Sequence, residues 1–181
     1  MARHRILTLA LLAGAAAALQ AQQGLGASGI IYGPDHMFSV AAPPGWVLDN
    51  QAGRGQGLYA VFYRAGESWR SGEAVMYVNT SKSGVDSVMR QDSLRFMNRY
   101  PGLRVTARAA IRTNDSVTAL VRQFVGDSSG NVEAVAYFPA AAMTPMIVLT
   151  ARTQQAFESA LPAFVALVKS YRFISAHVTV K

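Results

Sequence analysis

A glycine-rich run with an Asp-Ser pair is the stretch of this chain that most suggests chemistry. Residues 126–130 read GDSSG, and Ser128 could act as a nucleophile if a histidine base lay within hydrogen-bond reach. The candidate bases are His36, at the start of a predicted strand, and His177, in a C-terminal tail. Glycine, aspartate and serine are also the residues that β-turns prefer. We therefore interpret the run as a hairpin turn and keep a hydrolase as a third hypothesis only.

A metal or cofactor site needs several ligands close together, and the sequence shows no such group. Asp35 and His36 are adjacent, so in an extended segment their side chains point to opposite sides of the strand. The carboxylates are spread over different predicted elements, and the chain has no cysteine that could bind a metal as a thiolate. We predict no catalytic residue, no metal and no cofactor, and we expect His36 and His177 to face solvent.

The arginines carry the strongest binding signal. Arg104, Arg108 and Arg112 lie at even spacing on one predicted strand, and Arg122 lies on the next. Because side chains alternate between the two faces of a strand, we expect all four on one face, here called the arginine ladder. Guanidinium groups bind anions, so the ladder could contact lipid phosphates, glycan carboxylates or an acidic protein. The alternative is a solvated face whose charges prevent edge pairing and are partly matched by Glu133.

Trp69 is an isolated tryptophan in the polar loop AGESWRSG, which joins two predicted strands. An exposed tryptophan could anchor a protein partner or a membrane interface. The ring could equally fold back over the edge of the sheet. We take Trp69, together with the arginine ladder, as the candidate partner surface.

These side chains need a scaffold, and its clearest element is a helix near the C-terminus. Apolar residues recur there with helical spacing and form one stripe: Phe157, Leu161, Phe164, Val165 and Val168. Thr153 is typical of the residue that caps a helix start. Pro162 lies on the face away from the stripe, so it should not spoil the buried side. Such a helix needs a sheet to lie on.

An earlier helix is predicted from Ser83 to about Tyr100, where a Pro-Gly pair ends it. Ser83 and Asp86 form an S-x-x-D start signal. Asp92 falls inside the apolar stripe of this helix. Either the buried face shifts or this carboxylate needs a partner.

The remaining sequence reads as short strands, at residues 36–41, 46–49, 57–64, 73–80, 104–112, 117–125, 132–138 and 146–151. The first two should form a hairpin around a Pro-Pro-Gly turn, and residues 170–173 a short terminal edge segment. Turns rich in Asx and Gly favour antiparallel pairing. The predicted fold class is α+β: a mainly antiparallel sheet of about six to seven strands flanked by two main helices, as an α/β/α sandwich.

The N-terminus has the three-part pattern of a secretory signal, with Arg3 and Arg5, an apolar run to Leu19 and small residues at its end. The apolar run is shorter than the roughly 20 residues that span a bilayer. We therefore expect cleavage near Ala21, no transmembrane segment in the mature chain, and a periplasmic or extracellular location. Residues 22–31 are predicted as a flexible lead-in, 32–174 as a single domain and 175–181 as a tail.

Composition is compatible with one domain held together by its core alone. The chain has 181 residues, is 51% hydrophobic, and has no cysteine for a disulfide or a lipid anchor. Removing residues 1–21 takes away two arginines and no carboxylate, so 17 basic residues become 15 against 10 acidic ones and the net charge falls from +7 to +5. Nucleic acid is not expected as a partner, because no aromatic platform is interleaved with the arginines.

Local sequence at both ends of the predicted domain carries a family resemblance. FSVAAPPGW at residues 38–46 and ALPAFVALVKSYRF at residues 160–173 resemble the ends of PsbP-like domains, a superfamily that includes the Mog1 and DcrB proteins. The resemblance covers roughly residues 32–174 and implies an antiparallel sheet sandwiched by helices. It also implies an accessory, binding or assembly role without a shared catalytic centre. Photosystem II members bind a manganese enzyme complex and nuclear Mog1 members bind a small GTPase, but none of their binding residues matches a position here.

Three function hypotheses follow from the sequence. The first is an exported, non-enzymatic binding or accessory domain, expected as a monomer, that contacts an envelope protein or an anionic surface. Its contact residues would be the arginine ladder and Trp69. The second is a carrier that holds a small amphiphile in an apolar pocket between helix and sheet. The third is the hydrolase.

Overall fold

A computed structural model of the chain describes residues 27–140, 143–176 and 178. The predicted signal segment and cleavage site, and His177, lie outside the described residues. Within them the elements follow in this order: β1 (Ser28–Gly33), β2 (His36–Ala41), β3 (Trp46–Asp49), a short 3-10 helix (Arg54–Gln56), β4 (Ala60–Arg64), β5 (Ala74–Ser81), α1 (Val85–Arg99), β6 (Arg104–Arg112), β7 (Thr118–Val125), β8 (Val132–Tyr137), β9 (Thr144–Ala151), α2 (Gln154–Lys169) and β10 (Arg172–Ser175).

The strands form two antiparallel sheets. The large sheet has seven strands in the order β3-β4-β5-β9-β8-β7-β6, and the small sheet has three in the order β1-β2-β10. Residues of α2 share one apolar core with the large sheet and with β1 and β2, whereas residues of α1 belong to a second core on the opposite face of the large sheet. The predicted α+β sandwich is confirmed. We call the two sides of the large sheet the α2 face and the α1 face.

Helix α2 is buried along one side, as its stripe predicts. The hydroxyl of Thr153 accepts a hydrogen bond from the Ala156 amide at 3.1 Å, so the predicted cap is confirmed. The buried residues are Phe157, Ala160, Phe164, Leu167 and Val168. The centre of the stripe is thus rotated slightly from the predicted one. Each large side chain buried in this way contributes roughly 1.5–3 kcal/mol to stability, and Pro162 is exposed within a continuous helix.

Helix α1 buries fewer residues than α2, and its predicted N-cap is wrong. Gly84 occupies the N-cap position and makes no side-chain capping bond. Ser83 instead uses its carbonyl oxygen to accept a hydrogen bond from the Thr144 hydroxyl, at 2.8 Å, which ties the helix start to β9. Val88 is the buried residue of this helix, while Met89 and Phe96 are half-buried against the sheet.

The small sheet corrects two sequence predictions. Residues 36–49 do not form a hairpin, because β2 pairs with β1 and β10 while β3 pairs with β4 in the other sheet. The Pro-Pro-Gly turn therefore carries the chain from one sheet to the other. Residues 28–31 are not a flexible lead-in but part of β1, where Ile31 is buried. The strand was missed because two glycines lie in β1, and glycine is depleted in strands.

Candidate functional site

Arg104 and Arg108 lie on the α2 face of β6, the outermost strand of the large sheet. They pair with Val125 and Val121, and Val121 belongs to the core beneath α2. Both arginine side chains are exposed. The Arg108 guanidinium donates to Gln123 Oε1 at 2.6 Å and lies 5.9 Å from the centre of the Phe157 ring. The structure therefore brings these two members of the arginine ladder to one open surface beside α2.

The ladder does not continue to Arg112, so the expectation of one common face is wrong there. A β-bulge shifts the pairing of β6 between Arg108 and Ile111, and a bulge reverses which side chains face each side of the sheet. Ile111 pairs with the buried Ala119 and packs against the core beneath α2. Arg112, the next residue, consequently points to the α1 face and is exposed.

Arg122 also lies on the α1 face, which corrects the prediction that it joins the ladder. Its guanidinium is half-buried and donates to the carbonyl oxygen of Met89, at 2.7 Å, and to the hydroxyl of Ser93. Both acceptors belong to α1, so Arg122 fastens the helix to the sheet. Glu133 does not match the ladder either, because it pairs with Thr150 and Phe124 on the α1 face.

A partly buried polar cluster lies between α1 and the sheet and contains Asp92. The Tyr137 hydroxyl donates to Asp92 Oδ2 at 3.1 Å, and Arg95 forms an ion pair with Asp92 at 3.0 Å. Burial raises the pKa of the Asp92 carboxyl above its ordinary value, although Tyr137 and Arg95 oppose the shift. Of the two alternatives that the sequence left open, the structure shows the one in which this carboxylate has partners.

Glu133 is the second carboxyl of this cluster and was not singled out as part of a site by the sequence. Burial raises its pKa, the hydroxyl of Thr150 stabilises the charged form by hydrogen bonding, and the charges of Asp127 and Asp92 raise it further. Burial also raises the pKa of Tyr77 and of Tyr137 above the ordinary tyrosine value. The sequence signal that could have identified it is a glutamate within the otherwise apolar strand VEAVAY, where a carboxyl needs a polar partner.

The cluster can hold protons, but its geometry suits structure better than catalysis. Tyr137 is fully buried beneath α1, and a general acid or base must reach a substrate to transfer its proton. The charged and hydroxyl groups instead satisfy one another across the helix–sheet contact. Such a network stabilises α1 only while its hydrogen bonds and protonation states are matched.

Trp69 is half-buried and folds back onto the α1 face. Its ring meets the Tyr77 ring edge-on, with centroids 6.0 Å apart and planes at 88°. Beside it opens a polar groove of about 180 Å³ at the end of the sheet where the β4–β5 loop and the β7–β8 turn lie. Trp69 thus shares an end of the sheet with Arg104 but lies on the opposite face.

Ser128 belongs to a hairpin turn between β7 and β8. The Asp127 carboxylate accepts hydrogen bonds from the amides of Ser129 and Asn131, at 2.9 and 2.7 Å, which is the geometry of an Asx-type turn. Gly126 has φ of 102° and lies against the backbone at Gly102, where an added Cβ would come within 3.3 Å. The run GDSSG therefore has turn geometry, as predicted.

His36 is not solvent-facing, contrary to the sequence prediction. It is 6% exposed, meets the Tyr59 ring edge-on at 5.7 Å, and its buried Nε2 has no hydrogen-bond partner among the described residues. Burial lowers its pKa, and the charge of Asp35 partly opposes the shift. His36 lies near the start of β9, at the far end of the six-residue strand β8 from Ser128, about 20 Å away along the strand.

Across residues 27–140 and 143–176, no group of three histidine or acidic side chains is arranged to hold a metal ion. Among the described helices, none has both the length and the apolar character needed to cross a bilayer.

Comparison with known proteins identifies the fold. No family model matches the sequence, and no curated protein is significantly similar to it in sequence. Cyanobacterial PsbP (CyanoP) from Synechocystis sp. PCC 6803 superimposes with a TM-score of 0.52 at 14% identity, over 83% of this chain and 95% of its own. LpqN, involved in cell envelope biogenesis of Mycobacterium tuberculosis, gives 0.53 at 11% identity, over 86% and 95%. The Saccharomyces cerevisiae Ran-binding protein Mog1p gives 0.48 at 12% identity, over 84% and 97%. The PsbP-like fold predicted from the two ends of the sequence is confirmed.

Proposed function

We propose that this chain is an exported, non-enzymatic binding domain that contacts an acidic surface of an envelope protein through Arg104 and Arg108. The observation that supports it is the open positive charge of these two side chains, which lie on the same face of β6 and are both exposed. Neither forms an ion pair with a described carboxylate. Guanidinium groups bind carboxylates with paired, charge-assisted hydrogen bonds, which suits an acidic protein surface.

The charge balance of the whole domain supports the same proposal. The chain from residue 22 onward carries 15 basic and 10 acidic residues, yet Arg95–Asp92 is the only ion pair among the described residues. Basic residues thus exceed acidic ones by five, and few of the opposite charges are in direct contact. An uncompensated surface charge attracts a partner of opposite sign and accelerates its association.

The position of β6 indicates which atoms would make the contact. An edge strand offers free backbone groups for pairing with another chain, but a bulge and charged side chains both discourage such pairing. β6 has the bulge after Arg108 and arginines along its length. We therefore assign the contact to the guanidinium groups and not to an added strand. Arg112 and Arg122 are left out because they face the other side of the sheet.

The envelope location rests on the predicted signal at residues 1–21 and on a relative of the same fold, LpqN, which is involved in cell envelope biogenesis. A non-enzymatic role is supported by the separation of Ser128 and His36 to opposite ends of β8. It is also supported by the full burial beneath α1 of Tyr137, the hydrogen-bond partner of Asp92.

The carrier hypothesis receives less support from the cavities. The apolar cavity that His36 lines has a volume of about 40 Å³, whereas sites for small molecules of drug size occupy about 300–1,000 Å³. It lies beside β2 and the start of β9 and not between a helix and the large sheet. The binding domain is therefore the function that the geometry supports best.

The proposal is tested with two double variants that remove the same charge. Arg104→Ser/Arg108→Ser removes the proposed contact, and Arg90→Ser/Arg112→Ser removes two exposed arginines elsewhere. The protein without residues 1–21 would be photo-cross-linked to a purified envelope fraction, and cross-linked partners would be identified by mass spectrometry. We expect one acidic envelope protein to be lost with the first variant, kept with the second, and released by salt, since such contacts are screened.

Equal loss with both variants would show that only net charge matters and would overturn the assignment of Arg104 and Arg108. No loss with either would overturn it as well. Retention on phosphatidylglycerol vesicles that depends on Arg104 and Arg108, without any cross-linked protein, would replace the acidic protein by an anionic lipid surface.

A further inference from the structure

The polar groove beside Trp69 is a concave site with two walls on the α1 face. One wall is the β4–β5 loop, with Trp69, Arg70 and Glu73, and the other is formed by Asn131, Thr150 and Arg152 at the ends of the central strands. Its volume is about 180 Å³. That is smaller than the roughly 300–1,000 Å³ of drug-sized sites, so it suits a single small unit of a longer ligand.

Several contacts hold the loop in place and so preform the groove. The hydroxyls of Ser68 and Ser71 are 2.8 Å apart, and the Gly72 amide donates to the Ser68 carbonyl at 2.9 Å. The Arg152 guanidinium donates to the Arg70 carbonyl at 2.9 Å, and the Arg152 amide donates to the Glu73 carbonyl at 2.9 Å. These bonds tie the loop to the end of β9, so little ordering is required on binding.

The groove combines two arginines with the carboxylate of Glu73, so it offers sites for both an anion and hydroxyl groups. Arg70 and Arg152 are exposed and form no ion pair among the described residues. Arg152 gives one guanidinium donor to the Arg70 carbonyl, and the remaining donors of the two side chains can bind a carboxylate. Glu73 is also exposed and can accept from a hydroxyl, and Asn131 can donate and accept. A simple inorganic anion would use only the arginines and would gain nothing from these acceptors.

Trp69 adds an aromatic ring to the lining of the groove, and this ring also meets Tyr77 edge-on. An aromatic wall next to a mixed set of donors and acceptors suits a ring that is apolar on one face and carries hydroxyls at its rim. We propose that this groove binds the carboxylate-bearing sugar unit of an acidic glycan. The carboxylate would pair with Arg70 and Arg152, the sugar ring would lie on Trp69, and its hydroxyls would contact Glu73 and Asn131.

This inference rests on the proposed binding function and specifies a second ligand on the opposite face of the sheet. A glycan fits the proposed envelope location, where the protein partner would be contacted through Arg104 and Arg108. The two contacts use different residues, so each can fail without the other.

The test is a titration of the protein without residues 1–21, followed through the Trp69 indole N–H signal in NMR spectra. Glucuronate, glucose, acetate and inorganic phosphate are the probes. We expect glucuronate to bind about tenfold more tightly than glucose, the factor that one charge-assisted hydrogen bond typically supplies. Acetate and phosphate should bind more weakly than glucuronate, because they make no contact with the ring of Trp69.

Arg70→Gln should abolish the preference for glucuronate over glucose, while Arg54→Gln, an exposed arginine outside the groove, should preserve it. Arg70 is exposed, so we expect its replacement to leave the fold intact. Equal binding of glucuronate and glucose, or loss of the preference in both variants, would overturn the proposal. Phosphate or acetate binding as tightly as glucuronate would also overturn it, because the site would then be an anion site and not a sugar site.

Arg104→Ser/Arg108→Ser separates this inference from the proposed function. The variant should bind glucuronate like the unmodified protein. If it does so while no envelope protein is cross-linked by the unmodified chain, the protein contact is wrong and the groove stands. If glucuronate fails while the cross-link depends on Arg104 and Arg108, the groove is wrong and the protein contact stands.

Discussion

The two helices cover opposite faces of one sheet but are attached by different forces. Helix α2 presents five buried residues to a continuous apolar core, and Phe157, Phe164 and Leu167 are fully shielded from water. Helix α1 buries Val88 and otherwise meets the sheet through half-buried side chains and a cluster of charged and hydroxyl groups. Burial of apolar area is additive and independent of pH. A polar network depends on the geometry and protonation of each member.

The comparison indicates a division of labour within the fold. The α2 face supplies most of the stability, since it removes most of the apolar surface from water. The α1 face is held by fewer apolar contacts and can open at lower free energy. The proposed groove lies on the α1 face of the sheet, where Thr150 lines it and also hydrogen-bonds to Glu133 of the polar cluster. A substitution in the polar cluster can therefore alter the groove through Thr150.

The largest difference is expected between two phenylalanine truncations, one on each helix. Phe164→Ala empties a fully buried position on α2 and should lower the free energy of unfolding by about 3–5 kcal/mol. Phe96→Ala on α1 removes a half-buried ring that lies 5.0 Å from Phe124 and should cost about half as much, because less area is returned to water. Urea unfolding measures both. Equal losses would contradict the proposed difference between the faces.

The next largest effect is expected from Arg122, which fastens α1 to the sheet. Arg122→Gln removes the guanidinium donors to the Met89 carbonyl and the Ser93 hydroxyl and should cost about 1.5–3 kcal/mol, the range for hydrogen bonds with a charged partner. Amide hydrogen exchange in α1 should accelerate while that in α2 changes little. Arg112→Gln, at an exposed arginine of the same face, is the matched control and should stay within about 0.5 kcal/mol. Uniform acceleration in both helices would show that α1 does not open separately.

The sequence predicts the scaffold well because the relevant signals are local. The cap of α2 and the turn around Asp127 depend on residues a few positions apart, and the structure confirms both. The helix itself is also confirmed, with its buried side rotated slightly from the predicted stripe. The resemblance of both ends to PsbP-like domains correctly predicted the fold as a whole. The position of Asp92 also indicated a polar contact as one of two alternatives, because a carboxylate inside an apolar stripe needs a partner.

The sites are harder to predict because they depend on register and on distant pairing. One bulge after Arg108 turns Arg112 to the other face, and nothing in the strand sequence marks its position. Arg122 is one position out of phase with Arg108 across the pairing of β6 and β7. His36 is buried against the ring of Tyr59, which precedes β4 of the other sheet, and not against a neighbour in its own strand pairing alone. The spacing of apolar residues within one segment does not predict such contacts.

A substitution at Glu133 is expected to raise the free energy of unfolding, whereas the substitutions at Phe164, Phe96 and Arg122 lower it. Burial raises its pKa, so its contribution to stability is complete below the ordinary glutamate pKa and is lost as the pH rises through the folded-state value. Glu133→Gln keeps an acceptor for Thr150 and removes this penalty. The free energy of unfolding at pH 7 should rise by roughly 0.5–2 kcal/mol, as for other stabilising single substitutions, and its fall above pH 4.5 should become shallower. Glu67→Gln, in the exposed β4–β5 loop, is the control and should change neither.

The smallest effect is expected at His36, and its pH dependence should run the other way. Burial lowers the pKa of this imidazole below its usual value of 6.5, so the unfolded chain takes up a proton before the folded one does. Stability should be complete above pH 6.5 and decline as the pH falls towards the folded-state pKa, by at most about 1.4 kcal/mol per pH unit for one group. His36→Phe fills the same space without the unpartnered Nε2 and should remove this decline in urea unfolding between pH 5 and 6.5. The double variant His36→Phe/Glu133→Gln lacks both the decline due to His36 and the opposite change due to Glu133. Its free energy of unfolding should therefore be nearly constant across this pH range. A decline that persists in the His36→Phe protein would assign the acid sensitivity to a group other than His36. The raised pKa of Glu133 cannot be the cause, because it makes stability increase as the pH falls.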